Sequence, residues 1–309
     1  MKSKSKSLIL NLKILIENFF SKSKPALIMT ILARDEGDIV EENIKFHLNH
    51  GVDFIIATDN ASVDNTRNIF KKYERKGVLH LIDEAGRNKS QAKWNNRMTK
   101  IAIDDYGADV VFHCDADEFW CPKSGNLKNE ILNESVDVMS VDLVNVLLED
   151  KNGEEIFPAD AKYAMVNPIE TSNFKEDSKF RNLYFFRYPA KVIFKTEKGL
   201  LKVVQGNHSI VDNKIKITTK KSSDIKIFHF PLRGKKRFYN KVVETGKAVE
   251  KNSLLKKSMS WHIRRWFDAY KDGALDDEYR KLIITKREAI KMKKAGMIKD
   301  FDFKKFIEK

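Results

Sequence analysis

Val110-Val111-Phe112-His113-Cys114-Asp115-Ala116-Asp117-Glu118-Phe119-Trp120 is the stretch that decides the fold. Five mostly apolar residues of strand length run straight into a cluster of carboxylates. A short apolar run bounded by turn residues suits a strand buried in a parallel sheet. Upstream, the same unit recurs. Residues 26–33 form an apolar run, and a helical pattern follows on Ile39, Ile44, Phe46 and Leu48, ending near His50-Gly51. Residues 53–58 and 78–82 are two further strand-length runs. Helical patterns over 65–76 and 91–106 separate them, stopped by Gly77 and Gly107. Strands alternating with helices at this spacing predict an α/β fold with a doubly wound, mostly parallel sheet. Such sheets bind ligands at the carboxyl ends of their strands. That rule singles out three polar loops, 34–37, 59–64 and 115–120.

Downstream, 136–148 is expected to be one strand with alternating faces. A β-rich, irregular region continues to about residue 230, with a hairpin formed by 190–195 and 200–205. From 235 onward the pattern is helical, with Gly246, Gly273 and Gly296 as breaks. The organisation expected is a basic segment over 1–24, a main α/β domain over 25–234 whose alternating half is 25–122, and a basic helical extension over 235–309.

The chain has 309 residues and carries 58 Lys and Arg against 44 Asp and Glu, a net +14. The excess sits at the ends: +5 over 1–24 and +13 over 226–309, which leaves −4 for the middle. Basic ends suit anionic lipid or an anionic substrate. An acidic centre argues against one continuous nucleic-acid footprint, so nucleic acid is not an expected partner. Residues 8–20 could form a short amphipathic helix on a membrane surface. Cys114 and Cys121 make neither a disulfide framework nor a zinc spacing, which suits a reducing cytoplasm. The expected location is cytoplasmic, with peripheral contact at the inner face of the plasma membrane. Trp261, Trp266, Phe267 and Tyr270 lie among Arg264 and Arg265. Such aromatics either face a membrane interface or pack a helix onto the protein.

A turn after the fourth strand can bring Asp115 and Asp117 onto one divalent cation. Mg²⁺ and Mn²⁺ take carboxylate oxygens together with substrate phosphate oxygens. The charge of a departing nucleoside diphosphate is then absorbed. The alternative is a solvated acidic turn. Asp59, at the end of the second strand, could accept from a nucleobase N–H. Ser62 or Asp64 is better suited to start the next helix.

Residues 26–120 resemble glycosyltransferase family 2, whose fold is GT-A. The likeness is carried by Ile31-Leu32-Ala33-Arg34-Asp35-Glu36, by Asp59-Asn60-Ala61-Ser62-Val63-Asp64-Asn65-Thr66 and by Asp115-Ala116-Asp117-Glu118-Phe119. Gly206-Asn207-His208 and His229-Phe230-Pro231-Leu232-Arg233 extend it to about residue 250, in a bacterial branch with an Asp-x-Asp-Glu-Phe motif. The resemblance implies a nucleotide-sugar donor, UDP-linked, with Asp59 and Asn60 at the base. Ala33, Arg34 and Glu36 would line the nucleotide pocket, and Gln91 and Lys93 would stand near the donor. Asp115, Ala116 and Asp117 would meet ribose, metal and diphosphate. His229 would be a further ligand to Mn²⁺ or Mg²⁺, and Arg233 a diphosphate contact. Inverting transfer needs a base within reach of the acceptor hydroxyl. Asp117, Glu170, Asp177 and His208 are the catalytic candidates, because the family's usual Glu-Asp motif on a helix is missing.

The activity expected is therefore inverting transfer of a sugar to a glycan or lipid-linked acceptor in bacterial surface polysaccharide synthesis. A nucleotidyltransferase-like enzyme would call for a Gly-rich phosphate loop after the first strand, and residues 34–37 hold a single glycine. The third alternative is a non-catalytic nucleotide- or nucleic-acid-binding protein.

Overall fold

The computed structural model describes residues 26–85, 91–151, 158–179, 181–199, 202–204, 206–211, 216–251 and 261–308. The basic segment 1–24 lies outside the described residues. The chain divides into two units. The first holds the described residues up to Asp142 with Pro189–Ile227, and the second holds Leu143–Tyr188 with Phe228–Lys309.

In the first unit, β1 (Leu27–Ala33), β2 (Phe54–Asp59), β3 (Leu79–Asp83) and β4 (Val110–Cys114) run parallel in the order β3-β2-β1-β4. Three helices connect them: α1 (Val40–Asn49), α2 (Thr66–Arg75) and α3 (Gln91–Asp104). α2 buries Thr66, Ile69, Phe70 and Tyr73, the spacing of one helical face. From β1 to β3 the chain steps one way across the sheet, and from β3 to β4 it returns. Right-handed crossovers therefore put α1 and α2 on one face and α3 on the other. Met98 and Ala102 of α3 pack with Ile28, Ile56, Val111 and Phe194. Phe46 and His47 of α1 meet Phe119 and Phe112 on the opposite side. With both faces covered, β1 and β4 are apolar but for Thr30 and His113, which pair with each other, and this is why they read as near-continuous runs. Each fully buried Ile, Val or Phe here contributes roughly 1.5–3 kcal/mol.

β5 (Glu118–Pro122) follows the acidic turn, and β6 (Val138–Val141) closes the first pass. The chain enters the second unit with β7 (Leu143–Leu147) and β8 (Tyr163–Met165), then returns with β9 (Lys191–Lys195). β9 inserts between β4 and β6, antiparallel to both. After β10 (Lys202–Val203) and β11 (Ile210–Val211), β12 (Thr219–Lys221) completes a seven-stranded sheet beside β6. The expected mostly parallel, doubly wound α/β sheet is the one observed.

Three expectations are corrected. The single strand over 136–148 is two strands, β6 and β7. Asp142 stands between them, where its carboxylate takes Lys221 at 2.9 Å and Lys226 at 3.3 Å. The 190–195 run does not pair with 200–205 as a hairpin. Its buried Val192, Ile193 and Phe194 need cover on both faces, which the sheet interior supplies, and β10 pairs with β11 instead. Leu200, Leu201 and Gln205 lie outside the described residues.

The third correction is in the second unit. There β7, β8 and β14 (Ile298–Asp300) pair antiparallel, and β13 (Ile225–His229) leads into α4 (Lys235–Lys251) and α5 (Trp261–Lys271). Gly246 does not break α4. A Cβ there would stand 2.3 Å from Cγ of Phe267, so this glycine is what lets α5 approach. Gly273 and Gly296 do stop helical runs, at φ 74° and 67°. Trp266 is buried edge-on to Phe238 at 5.0 Å, and Phe267 is buried as well. For these two aromatics, packing on the protein is the alternative found. No helix among the described residues is long and apolar enough to cross a membrane.

Candidate functional site

The order β3-β2-β1-β4 reverses direction between β1 and β4, which makes the carboxyl ends of those strands the switch point of the sheet. The register aligns what arrives there. Ala33 ends β1 opposite Asp59 of β2, Asp59 is opposite Asp83 of β3, and Cys114 of β4 is opposite Ile31.

The loops after β1 and β2 are tied together. The Asp35 amide donates to Oγ of Ser62 at 3.0 Å, and the Glu36 amide to Oγ1 of Thr66 at 2.8 Å. The Gly37 amide donates to Asp64 at 2.8 Å, and the Val63 amide to Asp35 at 2.7 Å. Asp64 also accepts from the Thr66 amide at the start of α2, but the N-cap position is Asn65, without a side-chain cap. Asp35 and Ala61 hold φ values of 55° and 54°, in the left-handed region that non-glycine residues enter at a cost of about 1 kcal/mol. Asp59 is 2% exposed. Its Oδ2 accepts from the Ser62 amide at 3.2 Å, while Oδ1 has no hydrogen-bond partner among the described residues. Burial raises its pKa, against the Ser62 hydrogen bonds. Asn60 donates its amide to the Ala33 carbonyl at 2.9 Å. Arg34 pairs with Asp35 at 3.6 Å. Gln91 and Lys93 lie in the first turn of α3, Lys93 exposed.

After β4 the chain makes a tight turn, with the Glu118 amide donating to the Asp115 carbonyl at 3.0 Å. Side chains of α1 hold that turn. Nδ2 of Asn43 donates to the carbonyls of Ala116 at 3.1 Å and Glu118 at 2.6 Å. His47, one helical turn on, donates from Nδ1 to the Asn43 carbonyl at 2.8 Å and accepts at Nε2 from the Trp120 amide at 3.1 Å. The turn brings Asp115 and Glu118 onto one cation, Lys191, which starts β9. Its Nζ lies 2.6 Å from Oδ2 of Asp115 and 2.6 Å from Oε1 of Glu118. Lys191 is 3% exposed and Glu118 1%. Burial pushes the Lys191 pKa down, but Asp115 and Glu118 outweigh it and hold the ammonium above its ordinary value. For Glu118, burial raises the pKa against Lys191, and Asp115 and Asp117 push the same way. Asp117 is buried beside them. His208 donates from Nδ1 to the Ala190 carbonyl at 3.0 Å and feels the charges of Lys191 and Asp115; burial lowers its pKa.

Under the same strand ends, His113 is buried between two threonines. Oγ1 of Thr99 donates to the Asn95 carbonyl at 3.0 Å, so it accepts from Nε2–H of His113 at 3.2 Å. Nδ1 then accepts from the Thr30 hydroxyl. The ring is neutral, and burial lowers its pKa to about 3. An unfolded histidine takes up a proton near pH 6.5, so the stability His113 contributes is complete above that pH and is lost as pH falls towards 3. Against a His113→Asn variant, the wild-type advantage in urea unfolding should shrink by about 2 kcal/mol between pH 7 and pH 5. A constant gap would mean that the ring takes up its proton in the fold as readily as in the unfolded chain.

The remaining candidates lie in the second unit. Glu170 pairs with Arg187, and Asp177 accepts from the Thr171 hydroxyl; both are at the surface. His229 bonds Asn145 through Nδ1 at 2.8 Å, and Arg233 is buried. Lys191 and Glu118 were not singled out from sequence as a pair. The available signal was a lysine at the head of an otherwise apolar strand, which has to find an anion when buried.

Among the described residues, no three His, Cys, Asp or Glu side chains form a group that could hold a metal ion by themselves. Mg²⁺ and Mn²⁺ do not need one, because they bind through one or two carboxylates with phosphate and water oxygens. Lys191 engages one oxygen of Asp115, whose side chain is 40% exposed. The other carboxylate oxygen of Asp115 lies outside that pair, and Asp117 is 7% exposed.

No model of a protein family matches the sequence, and no curated protein matches it. Among solved structures, the chain is similar to S. aureus TarS 1-349, at 15% identity over 81% of this chain and 69% of that one, with a TM-score of 0.38. The same protein in complex with UDP-GlcNAc aligns at 14% identity over 81% and 70%, with a TM-score of 0.40. Glucosyl-3-phosphoglycerate synthase from Mycobacterium tuberculosis, in complex with Mn²⁺, UDP and glucosyl-3-phosphoglycerate, aligns at 15% identity over 42% and 48%, with a TM-score of 0.30.

Proposed function

We propose that this chain is a glycosyltransferase that takes a sugar from a UDP-linked donor and passes it, with inversion, to a glycan or lipid-linked acceptor of a bacterial surface polysaccharide. The observation that carries this is the placement of Asp115-Ala116-Asp117 directly after the central strand β4, at the switch point of the sheet, with buried Asp59 ending β2. Oδ1 of Asp59, which no described residue satisfies, suits the imide N–H of a pyrimidine. Uracil is the base that the family resemblance of 26–120 supports. Ala33 and Asn60 border the same strand ends, and Arg34, Glu36, Gln91 and Lys93 are the remaining donor contacts proposed.

Asp115 and Asp117 would hold Mn²⁺ or Mg²⁺ against the donor diphosphate. Once bound, such an ion stabilises charge on the leaving nucleoside diphosphate. Lys191 neutralises Glu118 and half-occupies Asp115, which keeps the turn from carrying its full negative charge towards the donor. His208, which feels Asp115 and Lys191 and is held by a backbone carbonyl, is the proton acceptor favoured within the first unit.

A thermal-shift panel of UDP-, GDP-, CMP- and dTDP-sugars, each with and without Mn²⁺, tests nucleotide, metal and class together. At a hundredfold excess over Kd a ligand adds about 2.7 kcal/mol, on the order of 5 °C or more for a chain of this size. The expected result is that UDP-sugars with Mn²⁺ alone give that shift. No shift with any nucleotide-sugar, with or without metal, would refute the proposal.

A further inference from the structure

Helix α6 (Lys286–Lys294) precedes β14 in the second unit, and its residues sort onto distinct faces. Ala289 and Met292 are buried and hold the helix on the protein. Glu288 and Lys293 flank that contact, and both are engaged. The Glu288 carboxylate accepts from the Thr285 amide at 2.8 Å, and its own amide donates to Oγ1 of Thr285 at 3.2 Å, a complete capping box. Lys293 meets Asp300 at 2.7 Å. At about 100° per residue, Lys286, Arg287, Ile290, Lys291 and Lys294 share one arc of roughly 140° on the remaining side. Every residue of that arc is exposed, none is acidic, and all but Ile290 are cations.

Among the described residues, Lys286, Arg287, Lys291 and Lys294 form no ion pair. Exposed lysines on other helices are answered differently: Lys72 meets Glu41 at 2.6 Å, and Lys271 meets Asp268 at 2.9 Å. The helix dipole accounts for Lys291 and Lys294 in the last turn, but it opposes Lys286 and Arg287 in the first. Arg287 and Lys291 are like charges one turn apart, a pairing that weakens a helix. A negatively charged surface relieves both costs at once.

Ile290 stands in the same arc, one turn from Lys286 and one from Lys294, and is 50% exposed. It has an apolar neighbour past the end of the helix. Val166, 37% exposed, donates its amide to the Met297 carbonyl at 2.9 Å. Cations around an aliphatic centre match the boundary of an anionic bilayer, where headgroups take the charges and the acyl edge takes the apolar side chain. A soluble polyanion would satisfy the cations and leave Ile290 in water. The capping box already orders the helix, so docking has little backbone left to fix.

We infer that the outer face of α6 docks the protein on an anionic membrane, with Lys286, Arg287, Lys291 and Lys294 against the headgroups and Ile290 entering the acyl boundary. The inference goes beyond the sugar-transfer proposal and does not depend on it.

The test is co-sedimentation of the full chain with vesicles of phosphatidylcholine, alone or mixed equally with phosphatidylglycerol. Binding is expected only with phosphatidylglycerol, and it should weaken as salt rises. The double variants Lys286→Gln with Arg287→Gln, and Lys291→Gln with Lys294→Gln, should each weaken it by about tenfold or more. Arg75→Gln with Lys76→Gln removes as much charge from exposed positions of the first unit and should leave binding within about twofold of the wild type. Ile290→Ser should weaken binding by about threefold or more without lowering the thermal midpoint. No binding to phosphatidylglycerol vesicles, equal binding to phosphatidylcholine, or equal losses in the control and the α6 variants would overturn the inference. So would tight binding of dextran sulfate, a soluble polyanion, together with full vesicle binding by Ile290→Ser, which would assign the face to a polyanion. A failed donor panel alongside vesicle binding that the α6 variants weaken would remove the transferase proposal and leave this surface standing.

Discussion

Asp117→Asn is expected to lower sugar transfer by at least about 10²–10³-fold while the protein stays folded. Asparagine keeps the shape of the side chain and one acceptor oxygen, so the turn held by Asn43 and His47 should survive, with the thermal midpoint moving by only a few degrees. What it removes is a charge at the place where a leaving diphosphate gathers charge. EDTA should produce the same loss in the wild type, and added Mn²⁺ should restore the wild type but not the variant. Asp115→Asn makes a useful contrast. Asp115 pairs with Lys191 at 2.6 Å, so that variant should lose stability as well as turnover. Full wild-type turnover in the Asp117 variant would remove the acidic turn from the chemistry.

Lys191→Met should cost stability on a scale few other single changes in this chain would match. Methionine fills most of the space of a lysine but leaves Glu118, 1% exposed, without its cation. Breaking one side of a buried ion pair costs about 3–5 kcal/mol, because the surviving charge remains buried. The double variant Lys191→Met with Glu118→Gln should recover much of that loss, since it removes the stranded charge. The comparison separates the worth of the pair from the penalty of halving it. Urea unfolding of the wild type, both single variants and the double variant gives the coupling directly. If Lys191→Met costs less than about 1 kcal/mol, Glu118 is protonated in the fold and the turn carries less charge than its sequence suggests.

The parallel half of the sheet was legible because burial on both faces imposes a local signature. β1, β2 and β4 are short apolar runs, each closed by turn residues, and the helices between them carry one-sided patterns. The same locality exposed Asp59 and the acidic turn, since both follow directly from strand ends. What the sequence concealed depends on residues far apart in the chain. Lys191 meets Asp115 across 76 positions, and its place at the head of an apolar run says that it needs an anion without saying which one. The 136–148 run looked continuous because a single Asp among Val and Leu is a weak break; its two lysine partners, 221 and 226, come some eighty residues later. Gly246 misled for a related reason. A glycine inside a helix reads as a stop, and only Phe267 arriving from the next helix shows that it is there for clearance.

The detour of the chain between Asp142 and Pro189 has a consequence for biogenesis. A ribosome that has delivered residues 1–142 has supplied β1 to β4 and β6, but the place between β4 and β6 stays vacant until β9 is made. Closure across that gap is a late, long-range event, the kind that slows folding. Until then two carboxylates stand in a half-built sheet with no ammonium to answer them. The counter-charge for the acidic turn thus arrives only with the strand that fills the gap.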